Sequence, residues 1–81
     1  MQQSSDISSQ IKQRIETAIS DAQVEIVPGS ARHYELYVIS ASFEGLSQVK
    51  QQQMVYASIK DLMSGDDAPI HAIDRMDLRV S

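Results

Sequence analysis

The chain contains no cysteine and no tryptophan, and it has only three glycines, two prolines and one phenylalanine among its 81 residues. Without cysteine there is no disulfide, no thiolate nucleophile and no self-contained Cys-ligated zinc or iron–sulfur site. That composition fits a reducing compartment, so a cytoplasmic location is the expectation. Gly29, Gly45 and Gly65 stand far apart, which excludes a glycine-rich phosphate loop. Long apolar runs are missing too. Val38-Ile39 is typical of those present, whereas a membrane-spanning helix requires about 20 apolar residues, so no membrane association is expected. The start, Met1-Gln2-Gln3-Ser4-Ser5-Asp6, lacks the basic and apolar stretches of a signal peptide. Basic charge is scarce: 7 Lys plus Arg against 11 Asp plus Glu leave a net charge of −4. This is a poor starting point for nonspecific nucleic-acid binding, which rests on neutralising phosphates.

What is present is ordinary for a small globular domain, with 42% apolar and 22% charged residues. Domains average roughly 100–200 residues, so one domain is expected and not two. Residues 1–5 are polar and read as a disordered extension; residues 6–81 read as the single domain.

Ile7, Ile11, Ile15 and Ile19 recur every four residues and predict an amphipathic helix, with Ser5 or Asp6 as its cap. Val24-Glu25-Ile26-Val27 is short and β-branched and predicts a strand, which Pro28-Gly29 ends. A second strand, His33 to Ser40, places Tyr34, Leu36 and Val38 on one face and His33, Glu35, Tyr37 and Ile39 on the other. The connection, Pro28 to Arg32, makes the two a hairpin and is expected to be mobile. After Gly45, Ser47 can cap a helical segment whose stripe reads Val49, Val55, Tyr56, Ile59, Leu62 and Met63. The polar run Gln48 to Gln53 leaves room for a separate short turn before that stripe. Gly65 and Pro69 end it, and Ile70 to Val80 reads as a last strand. The alternation in that strand fails at Asp74, which a β-bulge near Asp74-Arg75 would explain. A helical crossover permits parallel pairing of the last strand with the second. The expected architecture is α+β: a two-layer sandwich, with a three-stranded mixed sheet and the helices on one face.

No catalytic constellation stands out, and an enzyme is not expected. The paired carboxylates Asp66-Asp67 lie in a Gly/Pro turn, and a domain this small offers little depth for a pocket. The two histidines are more informative. His33 opens the second strand, and His71 sits just before the last. Parallel pairing of those strands brings both imidazoles to one end of the sheet. Two ligands do not complete a metal site, so any metal there would be shared with a partner molecule. A second candidate surface is the polar start of the helical segment. Lys50 and Lys60 can reach phosphates, and Gln51, Gln52 and Gln53 can reach base edges.

The strand ending Tyr37-Val38-Ile39-Ser40, the following Phe43-Glu44-Gly45, the helix Val49-Lys50-Gln51-Gln52-Gln53-Met54-Val55-Tyr56 and the strand start Ile70-His71-Ala72 together resemble the BolA family. The Val-Lys-Gln-Gln-Gln wording looks most like its YrbA-like branch. The resemblance covers about residues 7 to 78. It implies an αββααβ fold similar to class II KH domains, and a non-enzymatic adaptor that pairs with a monothiol glutaredoxin. In such heterodimers the two proteins share a two-iron, two-sulfur (2Fe-2S) cluster in iron–sulfur assembly, trafficking or iron sensing. The glutaredoxin cysteine and its glutathione supply thiolates, and the BolA-like chain supplies histidine. The family's ligand histidine falls on His71. The second ligand in many members is a His or Cys of the hairpin loop, and a loop cysteine would align near Ser30. His33 is the histidine that opens the second strand in many relatives and can serve as that ligand. The family ordinarily continues past the last strand with a Thr-Pro-x-x-Trp-like tail, so contacts made by that tail are expected to be missing after Arg79-Val80-Ser81.

A neutral imidazole in place of a thiolate raises a cluster's reduction potential. Imidazoles ordinarily protonate below about pH 6.5, and metal binding should weaken there. Relatives are also implicated as KH-like nucleic-acid-binding transcriptional regulators of stress response and morphology; in that alternative, Lys50, Gln51, Gln52, Gln53 and Lys60 carry the contact to DNA or RNA. A weak homodimer is compatible with either reading.

Overall fold

The isoleucine recurrence builds the first element. Helix α1, Asp6–Ala18, turns Ile11 and Ile15 fully inward, and Ile19 follows them in the turn that ends the helix. Burying one such side chain contributes about 1.5–3 kcal/mol, so packing rather than intrinsic propensity holds this short helix. The computed structural model describes residues 6–65 and 67–81. The expected cap at Ser5, the expected extension 1–5 and Asp66 of the acidic pair lie outside the described residues.

Three strands follow the predicted hairpin and crossover: β1 (Gln23–Pro28), β2 (His33–Ile39) and β3 (Ala72–Arg79). They form one sheet in the order β1-β2-β3. The β1/β2 pair is antiparallel and the β2/β3 pair parallel, as the crossover allows. Leu36 and Val38 are buried, and Val24, Ile26, Tyr34, Ile73, Met76 and Leu78 pack around the same core. Both helices cover that face. The opposite face carries the exposed Glu25 and Arg79 and the half-buried Tyr37 and Asp77. There the Glu35 carboxylate accepts the Tyr37 hydroxyl at 2.7 Å and holds the phenol above its ordinary pKa.

Four expectations are corrected. Of the two helical elements between β2 and β3, the first is a single 3-10 turn at Ala41–Phe43, ahead of the run Gln48 to Gln53 where a separate short turn had room. It stops where its C-cap, Glu44, turns extended, and Gly45 follows with a left-handed φ of 80°. The second, α2, runs Gln48–Ile59 and tightens into a further 3-10 turn at Lys60–Leu62. Ser47 caps it as predicted, accepting the Lys50 N–H at 3.2 Å. The inward stripe of α2 is Gln51, Val55 and Ile59, continued by Leu62. Val49 and Tyr56 instead face out, 61% and 41% exposed. Gln51 takes an inward position because its amide finds carbonyls there, donating to Leu46 at 2.9 Å and Phe43 at 3.4 Å. The last strand begins at Ala72 rather than Ile70; Ile70 is a buried plug ahead of it, its N–H bonded to the Leu62 carbonyl.

The expected bulge is present. The register passes from Tyr34↔Ile73 to Glu35↔Arg75, leaving Asp74 without a partner in β2. Within the helical layer, Arg14 of α1 pairs with Asp61 and holds that carboxyl below its usual range. The pair therefore helps the fold at neutral pH, and its contribution is lost as acid protonates Asp61. Among the described residues, no helix is long and apolar enough to cross a membrane.

Candidate metal-binding rim

The pairing of β2 with β3 sets the geometry of the histidines. His33 is the first residue of β2 and lies opposite Ala72, the first of β3. His71 immediately precedes that strand, so both imidazoles emerge at one rim. Their ring centroids are 5.4 Å apart, with the planes inclined at 38°. His71 is exposed and His33 half-buried. The sequence logic that placed the two rings together holds.

The backbone that presents them is tightly tied. The hairpin turn between β1 and β2 closes with His33 N–H to the Ser30 carbonyl and Gly29 N–H to the His33 carbonyl, both 2.8 Å. The connection expected to be mobile is thus a compact four-residue stretch, Gly29–Arg32. In the turn that Ser30 and His33 close, the third residue, Arg32, is left-handed at φ 62°, a position that commonly takes glycine. The Arg32 carbonyl accepts the His71 N–H at 2.7 Å and the Ala72 N–H at 3.3 Å. Its guanidinium donates to the Ala68 carbonyl at 3.3 Å. One residue thereby joins the turn ahead of His33 to the segment ahead of β3.

The sequence pattern does not single out Arg32, since a left-handed backbone carries no signal in an arginine. A left-handed conformation costs a non-glycine residue about 1–2 kcal/mol. Arg32→Gly should therefore be more stable than Arg32→Ala by about 1 kcal/mol, read as a Tm difference of roughly 4–8 °C. The two variants lose the same guanidinium contact, so equal Tm values would show that the turn carries no such strain.

Asp74 is the second residue that sequence reasoning did not place at the rim. Its Oδ1 lies 2.8 Å from His33 Nδ1. The broken alternation in the last strand marked the bulge but not the contact. Among the described residues, no group of three or more His, Cys, Asp or Glu side chains is arranged to hold a metal ion. Two imidazoles at an accessible rim fit one half of a metal centre, and the remaining ligands would have to come from another molecule.

The other candidate surface is split. Lys50, Gln52 and Gln53 are exposed on α2, and Lys60 on the 3-10 turn that follows it. Gln51, grouped with them as a base-reading residue, is 7% exposed, and its amide is already engaged. A groove of about 430 Å3 runs along this helix between Gln53, Tyr56, Ala57, Lys60, Met63 and Ser64. None of the rim residues lines it.

The model of a family described as BolA-like protein matches residues 6–76. BolA-like protein 1 of Homo sapiens is 31% identical over 72 residues, which cover 78% of this chain and 50% of that protein. In Bos taurus the protein of that name is 35% identical over 48 residues, 59% of this chain and 33% of its own length. The chain spans about half the length, or less, of these curated relatives. Among solved structures, a bolA protein homologue from Coxiella burnetii is 31% identical with a TM-score of 0.69, over 86% of this chain and 85% of that one. A bol-like protein from Babesia bovis shares the fold at 23% identity, with a TM-score of 0.72 over 89% and 81% of the two chains.

Proposed function

The chain belongs to the BolA-like protein family, and on that premise we propose that it is a non-enzymatic adaptor offering two histidines to a 2Fe-2S cluster shared with a monothiol glutaredoxin. The observation that carries this reading is the rim itself: the rings of His33 and His71 stand 5.4 Å apart, with no third ligand assembled beside them among the described residues. A docked protein must then supply the rest. The absence of cysteine is consistent with that division, since the thiolates come from the partner and its glutathione.

The residues of this chain act by position. Arg32 fixes the backbone ahead of His71, and the hairpin turn fixes His33. Neither ring needs the chain to rearrange before a partner meets it, and such preorganisation lowers the cost of docking. Imidazole is a neutral donor where thiolate is anionic, so the shared cluster would carry less negative charge and a higher reduction potential than one bound by thiolates alone.

Mixing the protein with a cluster-loaded monothiol glutaredoxin under anaerobic conditions tests the proposal. A new visible circular dichroism spectrum, with iron and sulfide co-eluting with both chains, is the expected result. An unchanged spectrum and separate elution would overturn it.

A further inference from the structure

The β-bulge in the last strand has a consequence for His33. Asp74 is the extra residue, unpaired between Tyr34↔Ile73 and Glu35↔Arg75. In an unbroken strand it would occupy a regular ladder position. The bulge takes it out of the ladder, and its carboxylate comes to lie against the imidazole of His33, with Oδ1 2.8 Å from Nδ1. Bulges commonly re-aim a side chain in this way. The pair is partly shielded: the side chains are 31% exposed for His33 and 49% for Asp74. Gly29 lies alongside, and even a methyl group there would stand 3.9 Å from Asp74 Oδ2 and from His33 Cβ, in ordinary contact. The turn therefore leaves the pair its space.

A carboxylate is an acceptor, so the atom it faces on a neutral imidazole must carry the proton. We infer that Asp74 is a positioning residue: through the bulge it fixes His33 in the Nδ1–H tautomer and so presents the lone pair of Nε2 for metal coordination. Among the described residues, Nε2 of His33 makes no hydrogen bond, and the ring neighbours that of His71. Metal-bound histidines elsewhere are held by such a carboxylate on the far nitrogen, which fixes the ring and raises its basicity. His71, by contrast, has no carboxylate partner among the described residues and is located by its backbone. The two rings are thus presented by different means, one by a side chain and one by the Arg32 carbonyl. This inference rests on the ligand role proposed for His33, but its first readout does not.

Long-range nitrogen–proton NMR of the free protein at about pH 8, where imidazole is ordinarily neutral, reports which nitrogen is protonated. Wild type should show the His33 proton on Nδ1. Asp74→Asn should lose that preference, whereas Glu35→Gln, which leaves the pair intact, should keep it. Zn2+ titrated into the free protein and followed at the His33 ring should bind about 10–100-fold more weakly in Asp74→Asn.

A wild-type proton on Nε2, an unchanged tautomer in Asp74→Asn, no Zn2+ binding at His33, or equal Zn2+ affinity in the two proteins would each overturn the assignment. The expected tautomer and Zn2+ results, found in a protein that shares no cluster with a glutaredoxin, would sink the proposed function and leave Asp74 in its role.

Discussion

His71→Ala is expected to abolish the visible circular dichroism signal formed with the cluster-loaded glutaredoxin while leaving the fold intact. The imidazole is exposed and makes no hydrogen bond among the described residues, so its removal creates no cavity. Surface substitutions of that kind change stability by about 0.5 kcal/mol or less. The backbone at the site survives as well, because the Arg32 carbonyl bonds the residue 71 N–H whatever the side chain.

What disappears is one of two donors. With no third ligand assembled at the rim among the described residues, His33 alone is left facing the partner. The result should therefore be an all-or-none spectral loss with an unchanged denaturation midpoint. His33→Ala is the useful contrast: it removes a donor and also frees the Asp74 carboxylate, so a small stability change should accompany its spectral loss. If His71→Ala gives the wild-type spectrum and affinity, the ligand role of His71 is wrong.

That the two rings meet was legible before any coordinates. It needed only that His33 begins one strand, that His71 precedes another, and that a helical crossover lets those strands run parallel. The α1 stripe, the Ser47 cap and the Asp74 bulge were legible for equally local reasons.

The inward turn of Gln51 was not. Periodicity assigns a glutamine to the wet side of a helix, and only tertiary structure shows that the Phe43 and Leu46 carbonyls wait on the dry side. Val49 and Tyr56 misled for the converse reason. Apolar residues sit on two sides of α2, and a single stripe through all of them mixes the faces. The Asp74 contact was hidden because a bulge tells where a ladder breaks but not where the freed side chain goes. Arg32 was hidden because nothing in an arginine announces a left-handed backbone. The same tertiary facts bear on the nucleic-acid alternative, since they withdraw Gln51 from the surface it requires.

Phe43→Ala should be the most damaging single change to stability, and its reason lies in the short turn between β2 and α2. The side chain is fully buried, the largest in the core, and it hangs from a three-residue 3-10 turn. That turn is fastened on both sides. Ser40 Oγ accepts the Ser42 N–H and donates to the Ser20 carbonyl, each at 3.0 Å, linking it to the end of α1. The Phe43 carbonyl accepts the Leu46 N–H at 3.1 Å and the Gln51 amide at 3.4 Å, linking it to the start of α2.

These ties limit how far the backbone can collapse into a cavity, so truncation should cost about 3–5 kcal/mol. A chain of this length has only about 4–12 kcal/mol in total, at roughly 0.05–0.15 kcal/mol per residue. Urea unfolding should therefore show a midpoint lowered by about a quarter or more with an unchanged slope. Phe43→Leu, which keeps most of the volume, should lose less than half as much. Were Phe43 instead an exposed platform for stacking bases, truncation would shift stability by no more than about 0.5 kcal/mol and weaken only nucleic-acid binding. A loss under about 1 kcal/mol would be too small for a cavity left by a buried ring and would contradict the packing described for this turn.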